Sequence, residues 1–234
     1  DVDEDDNGAP LSARFHDIDH FNLAFDGLDA LGREKPDKLA MVHLDRNKFE
    51  RRFTFAQLKR ASSQTANYFK SLGIKRGDKV MLVLRRNYQF WFSILALHKL
   101  GAVVIPATNQ LLSHDFEYRF NKADVRAIVC TLDGDTAHQA DLACAQCPQV
   151  TIKIGTDGTR EGWHNFDEEY PLFSGHFDRT QDAPGGDDPM LMFFTSGTTS
   201  YPKLAAHSYK YPLGHILTAK YWHQVDPNGL HLTI

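Results

Sequence analysis

The feature that most constrains the fold is a set of short apolar runs, each about as long as one β-strand, in which polar residues do not alternate with apolar ones. Four such runs occur in the 234-residue sequence: Lys79–Leu84, Val103–Pro106, Ala127–Cys130 and Met190–Phe194. A strand with one wet face alternates polar and apolar residues, whereas an unbroken apolar run is typical of a strand buried on both faces. The runs therefore predict strands of one parallel sheet that helices cover.

Helical signals separate these runs. Thr54 is followed three residues later by Gln57, as in a capping box, and the apolar residues after it recur at helical spacing until Gly73. Further elements are predicted as helices over about Tyr88–Leu100, from a cap at Ser113, and over about Thr136–Cys147, with a strand at Val150–Ile154. The alternation predicts an α/β fold: a doubly wound, mainly parallel sheet with helices on both faces.

Composition and charge exclude several classes of partner. Lys+Arg number 26 against 30 Asp+Glu, which gives a net charge of -4, so no broad positive field is present to attract nucleic acid. No stretch approaches the roughly 20 apolar residues of a membrane span. Three cysteines cannot all pair within the chain, which favours a reducing compartment. We expect a cytoplasmic protein, or one of the mitochondrial matrix if a transit peptide was removed, and no metal site at Cys144 and Cys147.

The chemistry is concentrated in the segment that follows the last apolar run. Four hydroxyl residues and a glycine lie between Thr195 and Thr199, and a lysine follows at Lys203. Glycine lets backbone N–H groups approach anionic oxygens, hydroxyls donate further hydrogen bonds, and the ammonium group supplies opposite charge. The spacing is not that of a P-loop NTPase, and no G-x-G-x-x-G follows the first strand. The cluster alone is equally typical of a turn.

The complete string T-S-G-T-T-x-x-P-K, placed directly after an apolar strand, closely resembles the phosphate loop of the adenylate-forming superfamily. The segment Phe53–Val80 is similar to the usual opening unit of that superfamily. The segment Leu100–Leu111, followed by Asp115 and Tyr118–Arg119, is similar to the medium-chain branch of its AMP-dependent acyl-CoA synthetases. The resemblance covers roughly residues 21–234. One departure is Ser200, where the family usually has glycine.

The resemblance implies ATP-dependent activation of a carboxylic acid, medium-chain fatty or aromatic, through an acyl-adenylate to its CoA thioester. ATP, Mg²⁺ and coenzyme A are the implied cofactors and co-substrates. The implied phosphate-binding residues are Thr195, Ser196, Gly197, Thr198, Thr199, Ser200, Tyr201, Pro202 and Lys203. Gln110 is the implied contact to coenzyme A, although it equally fits an exposed loop residue. His207, close after the loop, is expected to be a structural histidine rather than a catalytic one.

The domain organisation follows from the same resemblance. Residues 1–20 are expected to be an acidic, polar lead-in, and residues 21–234 the N-terminal part of an AMP-binding domain whose C-terminal remainder is absent. This interpretation predicts that the chain itself binds ATP phosphates at most, and it assigns no catalytic residue within the chain. Two alternatives stay open: an adenylation enzyme that uses another acceptor, and a non-catalytic nucleotide-binding module.

Overall fold

A seven-stranded sheet runs through the computed structural model, which describes residues 1–195 and 201–232. The strands are β1 (Val2–Glu4), β2 (Pro10–Ala13), β3 (Leu39–Leu44), β4 (Glu50–Thr54), β5 (Lys79–Val83), β6 (Val103–Pro106), β7 (Val125–Thr131), β8 (Ile152–Thr156), β9 (His164–Asn165), β10 (Pro189–Thr195) and β11 (Lys203–Ser208). The helices are α1 (Ala30–Glu34), α2 (Phe55–Ser71), α3 (Gln89–Leu100), α4 (Ser113–Ala123), α5 (Thr136–Cys144), α6 (Phe166–Glu169) and α7 (Tyr211–Leu217). Leu23–Asp29 and Thr218–Trp222 are π-helical, and Tyr170–Leu172 is a 3₁₀ turn.

The strand order in the large sheet is β11-β10-β6-β5-β7-β8-β9, and every neighbouring pair is parallel except β10 with β11. Four of its strands are those predicted from the unalternated apolar runs. The prediction of a mainly parallel α/β sheet is therefore confirmed. β5 is central, and the chain passes first to β6 on one side and then back across to β7 on the other, which makes the sheet doubly wound.

Two separate cores explain why the strands lack polar alternation. Val80 and Leu82 belong to the core that α2 and α3 cover, whereas Met81 and Val83 belong to the core that α4 and α5 cover. All four side chains are essentially inaccessible to water. Successive residues of a strand point to opposite faces, so a strand with helices on both faces must be apolar at every position.

Local sequence signals set the start of α2 and the end of α3 as predicted, whereas the cap of α4 differs from the prediction. The Thr54 hydroxyl accepts a hydrogen bond from the Gln57 N–H at 3.3 Å, and the Gln57 side-chain oxygen accepts one from the Thr54 N–H at 2.8 Å, so the capping box at the start of α2 is formed. α3 ends at Gly101, whose φ of 75° is left-handed. Ser113, predicted as a cap, is instead the first residue of α4, and the Leu112 N–H donates to the Asp115 carboxylate at 3.2 Å.

Three antiparallel pairings were not predicted from the sequence. β1 and β2 form a hairpin within residues 1–20, β3 and β4 form a second one, and β11 pairs with β10 at the edge of the large sheet. Each pairing includes a short or polar strand that is held by backbone hydrogen bonds to its partner. The hydrophobic pattern of such a strand gives little indication that it forms. Within the described residues, no helix is both long enough and apolar enough to cross a bilayer.

Candidate functional site

The carboxyl edge of the sheet brings the two predicted ligand-binding segments to neighbouring strands. β6 and β10 are adjacent and parallel, with Leu191 opposite Val104. The chain that leaves β6 contains Gln110, and the chain that leaves β10 is the predicted phosphate loop. Because the carboxyl ends of parallel strands meet at one edge, both segments lie on the side of the sheet where α/β proteins bind ligands.

The segment predicted to bind phosphate, called the phosphate loop below, is the connection between β10 and β11. Thr195 and Lys203 are its two ends, and they are direct partners in the antiparallel ladder. The Thr195 hydroxyl donates to the Lys203 carbonyl oxygen at 3.5 Å, a long contact. Of the nine predicted loop residues the structure describes Thr195, Tyr201, Pro202 and Lys203; Ser196, Gly197, Thr198, Thr199 and Ser200 lie outside the described residues.

Lys203 is exposed at the base of this connection. Its ammonium group makes no ion pair with any described residue, unlike Lys210, which bridges Asp19 at 2.9 Å and Asp187 at 2.8 Å. A lysine without an internal counter-ion is available to an anion from solution. The position of Lys203, at the carboxyl edge and opposite Thr195, therefore suits a phosphate-binding role.

Helix α4 holds the second half of the loop. The Tyr118 hydroxyl donates to the Pro202 carbonyl oxygen at 2.9 Å. The Tyr118 ring also stacks on Tyr201, with ring centroids 4.9 Å apart and an interplanar angle of 28°. Although Tyr118 belongs to a segment that carries the family resemblance, no role was predicted for it. Its partners are remote in the sequence, so the only available signal was its place in that segment.

Arg119 reinforces the same corner from the next position of α4. Its guanidinium lies 5.3 Å from the centroid of the Phe194 ring in β10. It also donates to the Asp115 carbonyl oxygen at 3.0 Å and lies 3.4 Å from the Asp115 carboxylate, one turn earlier in the helix. α4 is thus joined through Arg119 to the strand before the loop, and through Tyr118 to the end of the loop.

His207 belongs to a column of rings beyond the loop. Its imidazole lies 4.1 Å from the Tyr211 ring and 5.8 Å from the Phe193 ring, and Tyr211 in turn lies 4.6 Å from the His215 ring. These contacts are packing contacts between β10, β11 and α7. They give His207 a structural role in the folded chain.

Gln110 is exposed in the segment between β6 and α4. Its backbone N–H donates to the Thr108 hydroxyl at 3.3 Å, and the Thr136 hydroxyl donates to the neighbouring Asn109 carbonyl oxygen at 3.1 Å. These bonds shape the backbone and leave the Gln110 amide side chain without a hydrogen-bond partner among the described residues. The side chain is thus accessible, and its contact to coenzyme A stays a prediction.

The topological switch point lies elsewhere on the same edge, between β5 and β7. Ligands of doubly wound sheets commonly bind at such a point. Here Arg85, which follows β5, and Arg46, in the β3–β4 turn, both donate to the Asp133 carboxylate, at 2.9 and 3.2 Å. These ion pairs link the segment after β5 and the β3–β4 turn to the segment after β7 at this point of the edge.

The opposite, amino edge holds a cavity of about 600 Å³. Its walls include Lys75 and Arg76, which precede β5, and Leu100, which precedes β6. None of the described residues of the phosphate loop lines it. Among the described residues there is also no cluster of three or more His, Cys, Asp or Glu side chains that could hold a metal ion.

Comparison with known proteins adds independent observations. A family model described as "AMP-binding enzyme" matches residues 28–231. The mitochondrial acyl-coenzyme A synthetase ACSM5 of Rattus norvegicus is 33% identical over 210 residues, which cover 86% of this chain and 36% of the relative. The mitochondrial acyl-coenzyme A synthetase ACSM3 of Homo sapiens is 31% identical over 221 residues, which cover 91% of this chain and 37% of the relative. The chain therefore spans little more than a third of the length of these relatives.

A solved structure shares the fold. The anthranilate CoA ligase AuaEII, crystallised in complex with anthranoyl-AMP, superposes with a TM-score of 0.72 at 24% sequence identity, over 87% of this chain and 37% of the ligase. The family match extends from the end of the first π-helical segment past α7 and includes both segments of the carboxyl edge for which ligand binding was predicted. The predicted resemblance is thereby confirmed: the chain belongs to the AMP-binding enzyme family.

Proposed function

We propose that the full-length gene product is an AMP-forming acid–thiol ligase, which activates a carboxylic acid with ATP and transfers the acyl group to coenzyme A. The observation that carries the proposal is the exposed Lys203, without an ion-pair partner among the described residues, at the carboxyl edge and at the end of a T-S-G-T-T-x-x-P-K string. Family membership and the names of the relatives, which are acyl-coenzyme A synthetases, support the same reaction.

The reaction has two displacements. A carboxylate oxygen of the acid attacks the α-phosphorus of ATP, which forms the acyl-adenylate and expels pyrophosphate. The thiolate of coenzyme A then attacks the acyl carbonyl and expels AMP. Negative charge grows on the departing pyrophosphate in the first step, so an ammonium group already in place stabilises the transition state more than the bound substrate.

The residues of this chain act on the phosphates. The Lys203 ammonium group supplies charge to the β- and γ-phosphates. Thr195 lies opposite Lys203 in the strand ladder, and phosphate binding is proposed for it as well as for Ser196, Gly197, Thr198, Thr199, Ser200, Tyr201 and Pro202. Mg²⁺, when bound with ATP, neutralises phosphate charge and orients the leaving group.

Coenzyme A is proposed to meet the chain at Gln110, which lies in the segment after β6, the strand next to β10. The acid is proposed to be a medium-chain fatty or aromatic one, since one structural neighbour holds an aromatic acyl-adenylate and the branch resemblance covers Leu100–Arg119. Residues 1–20 are proposed to be a lead-in and residues 21–234 part of the adenylation domain. The names of the relatives favour the mitochondrial matrix over the cytoplasm.

Lys203→Ala in the full-length protein tests the proposal. A charged hydrogen bond is worth about 1.5–3 kcal/mol, and about 1.4 kcal/mol is tenfold in rate. We expect kcat/KM for ATP to fall roughly 10- to 100-fold. The melting temperature should stay within about 2 °C, because an exposed side chain without an ion pair contributes little to stability.

Lys70→Ala is the matched control, because Lys70 is exposed at the end of α2, on the amino-edge side, and has no ion-pair partner among the described residues. It should leave ATP kinetics and stability unchanged. Pyrophosphate release is followed across ATP concentrations with a medium-chain and an aromatic acid. Unchanged ATP kinetics for Lys203→Ala would remove the lysine from the site. Pyrophosphate release without thioester formation would favour an adenylation enzyme with another acceptor.

A further inference from the structure

Tyr118 makes two specific contacts at the corner where α4 meets the phosphate loop. Tyr118 contacts two consecutive residues of the loop in two different ways, by a hydroxyl-to-carbonyl hydrogen bond to Pro202 and by a ring stack on Tyr201. These are the two residues directly before Lys203. Consecutive Cα atoms are about 3.8 Å apart, so whatever fixes Pro202 also limits where the Lys203 backbone can lie.

The helix that carries Tyr118 is itself immobilised. Phe116 and Phe120, on either side of Tyr118 and four residues apart, are fully buried in the core below the sheet face. Residues at i and i+4 share one face of a helix, so these two phenylalanines fix the rotation of α4 about its axis. Tyr118 thus projects from a rigid helix, and a side chain on a rigid element positions its partners more accurately than one on a loop.

Few other contacts within the described part of the chain hold this half of the loop in place. Tyr201 is 64% exposed. The antiparallel ladder between β10 and β11 ends at the pair Thr195 and Lys203, so it restrains Lys203 but no residue before it. Among the described residues, the Tyr118 hydroxyl is the hydrogen-bond donor that reaches the Pro202 carbonyl oxygen.

We propose that Tyr118 is a positioning residue for the first half-reaction: it holds Tyr201 and Pro202 against α4, so that Lys203 is already placed when ATP arrives. The inference rests on the proposed function. A flexible loop loses conformational entropy when it closes on phosphate, whereas a pre-organised loop has lost it at folding. The contacts of Tyr118 are with the two residues before Lys203, so we expect its effect on the use of ATP rather than of the acid.

Tyr118→Phe in the full-length protein removes the hydroxyl and keeps the ring stack. We expect kcat/KM for ATP to fall about 3- to 10-fold, which is the range for loss of one hydrogen bond. KM for the carboxylic acid should not change, and the melting temperature should stay within about 2 °C of the parent. Tyr221→Phe is the matched control, because the Tyr221 hydroxyl bonds Glu4 of the N-terminal hairpin, and it should leave ATP kinetics unchanged.

Two further measurements separate positioning from mere stability. Backbone hydrogen exchange in a peptide spanning residues 201–206 should be at least about threefold faster in Tyr118→Phe, and unchanged in Tyr221→Phe. In a double-mutant cycle, Tyr118→Phe should cost less in kcat/KM for ATP when Lys203 is already alanine, because the hydroxyl acts through the placement of that lysine.

The outcomes are distinct. Faster exchange in 201–206 together with the ATP-specific loss and the non-additive cycle supports the proposal. Unchanged exchange overturns it, because the hydroxyl then does not hold the loop. Faster exchange with unchanged ATP kinetics, or full additivity with Lys203→Ala, overturns the positioning role. A wild-type protein that releases no pyrophosphate with any acid refutes the proposed function and the catalytic part of this inference, while exchange still reports on the contact itself.

Discussion

Lys99 provides the most demanding test of the packing between α3, α2 and the first π-helical segment. Its ammonium group lies 2.9 Å from the Asp29 carboxylate and within 2.9 and 3.0 Å of the Ser62 and Ser63 hydroxyls. The Lys99 side chain is 0% exposed and that of Asp29 is 4% exposed. Burial lowers the pKa of Lys99, while the neighbouring Asp29 charge acts in the opposite direction.

Lys99→Met replaces the ammonium group by an apolar chain of similar length. It leaves the Asp29 carboxylate buried without a cation, and breaking a buried pair in this way costs about 3–5 kcal/mol. At roughly 2–4 °C per kcal/mol for a chain of this size, the melting temperature should fall by about 6–20 °C. Lys70→Met, at an exposed position, is the control and should change the free energy of unfolding by less than about 0.5 kcal/mol.

The double variant Lys99→Met with Asp29→Leu decides the cause. Replacing both partners of a buried ion pair by apolar residues is often neutral or stabilising, so the double variant should regain at least half of the stability that Lys99→Met loses. Urea unfolding of the 234-residue chain at neutral pH compares the parent, Lys99→Met, Asp29→Leu, the double variant and the Lys70→Met control. A Lys99→Met protein within about 1 kcal/mol of the parent, or a double variant as unstable as the sum of the single ones, would refute the reasoning.

Two further predictions concern stability. The His98 imidazole is fully buried, and burial lowers its pKa to about 3. Below pH 6.5 the unfolded chain binds a proton at this histidine that the folded chain does not bind, so stability is lost as the pH falls from about 6.5 towards 3. At about 1.4 kcal/mol per pH unit, His98 should lower the free energy of unfolding by roughly 2 kcal/mol between pH 7 and pH 5. His98→Leu should remove this contribution to the pH dependence, whereas His138→Leu should not. Thr54→Ala removes the acceptor of the capping box and should cost about 0.5–2 kcal/mol, measured by urea unfolding against Thr159→Ala at an exposed loop position; equal stability of the two would show that the cap contributes nothing.

Much of the fold could be predicted from the sequence because its determinants are local. The unalternated runs Lys79–Leu84 and Ala127–Cys130 became central strands, since a strand with a core on each face must be apolar at consecutive positions. The capping box at Thr54 formed because it needs only residues within one helical turn. The string from Thr195 to Lys203 identified the family through its residue types and spacing, which are properties of the linear chain.

The tertiary structure alone decided which elements became neighbours. β11 was not predicted as a strand, because its pairing with β10 depends on backbone hydrogen bonds along the sheet edge rather than on its own pattern. The contact of Tyr118 with the loop joins residues 84 positions apart, and it exists because β6 and β10 are adjacent and α4 packs beside them. Periodicity reports which face of an element is buried, whereas the partner buried against that face is set by strand order and helix packing, which no local pattern encodes.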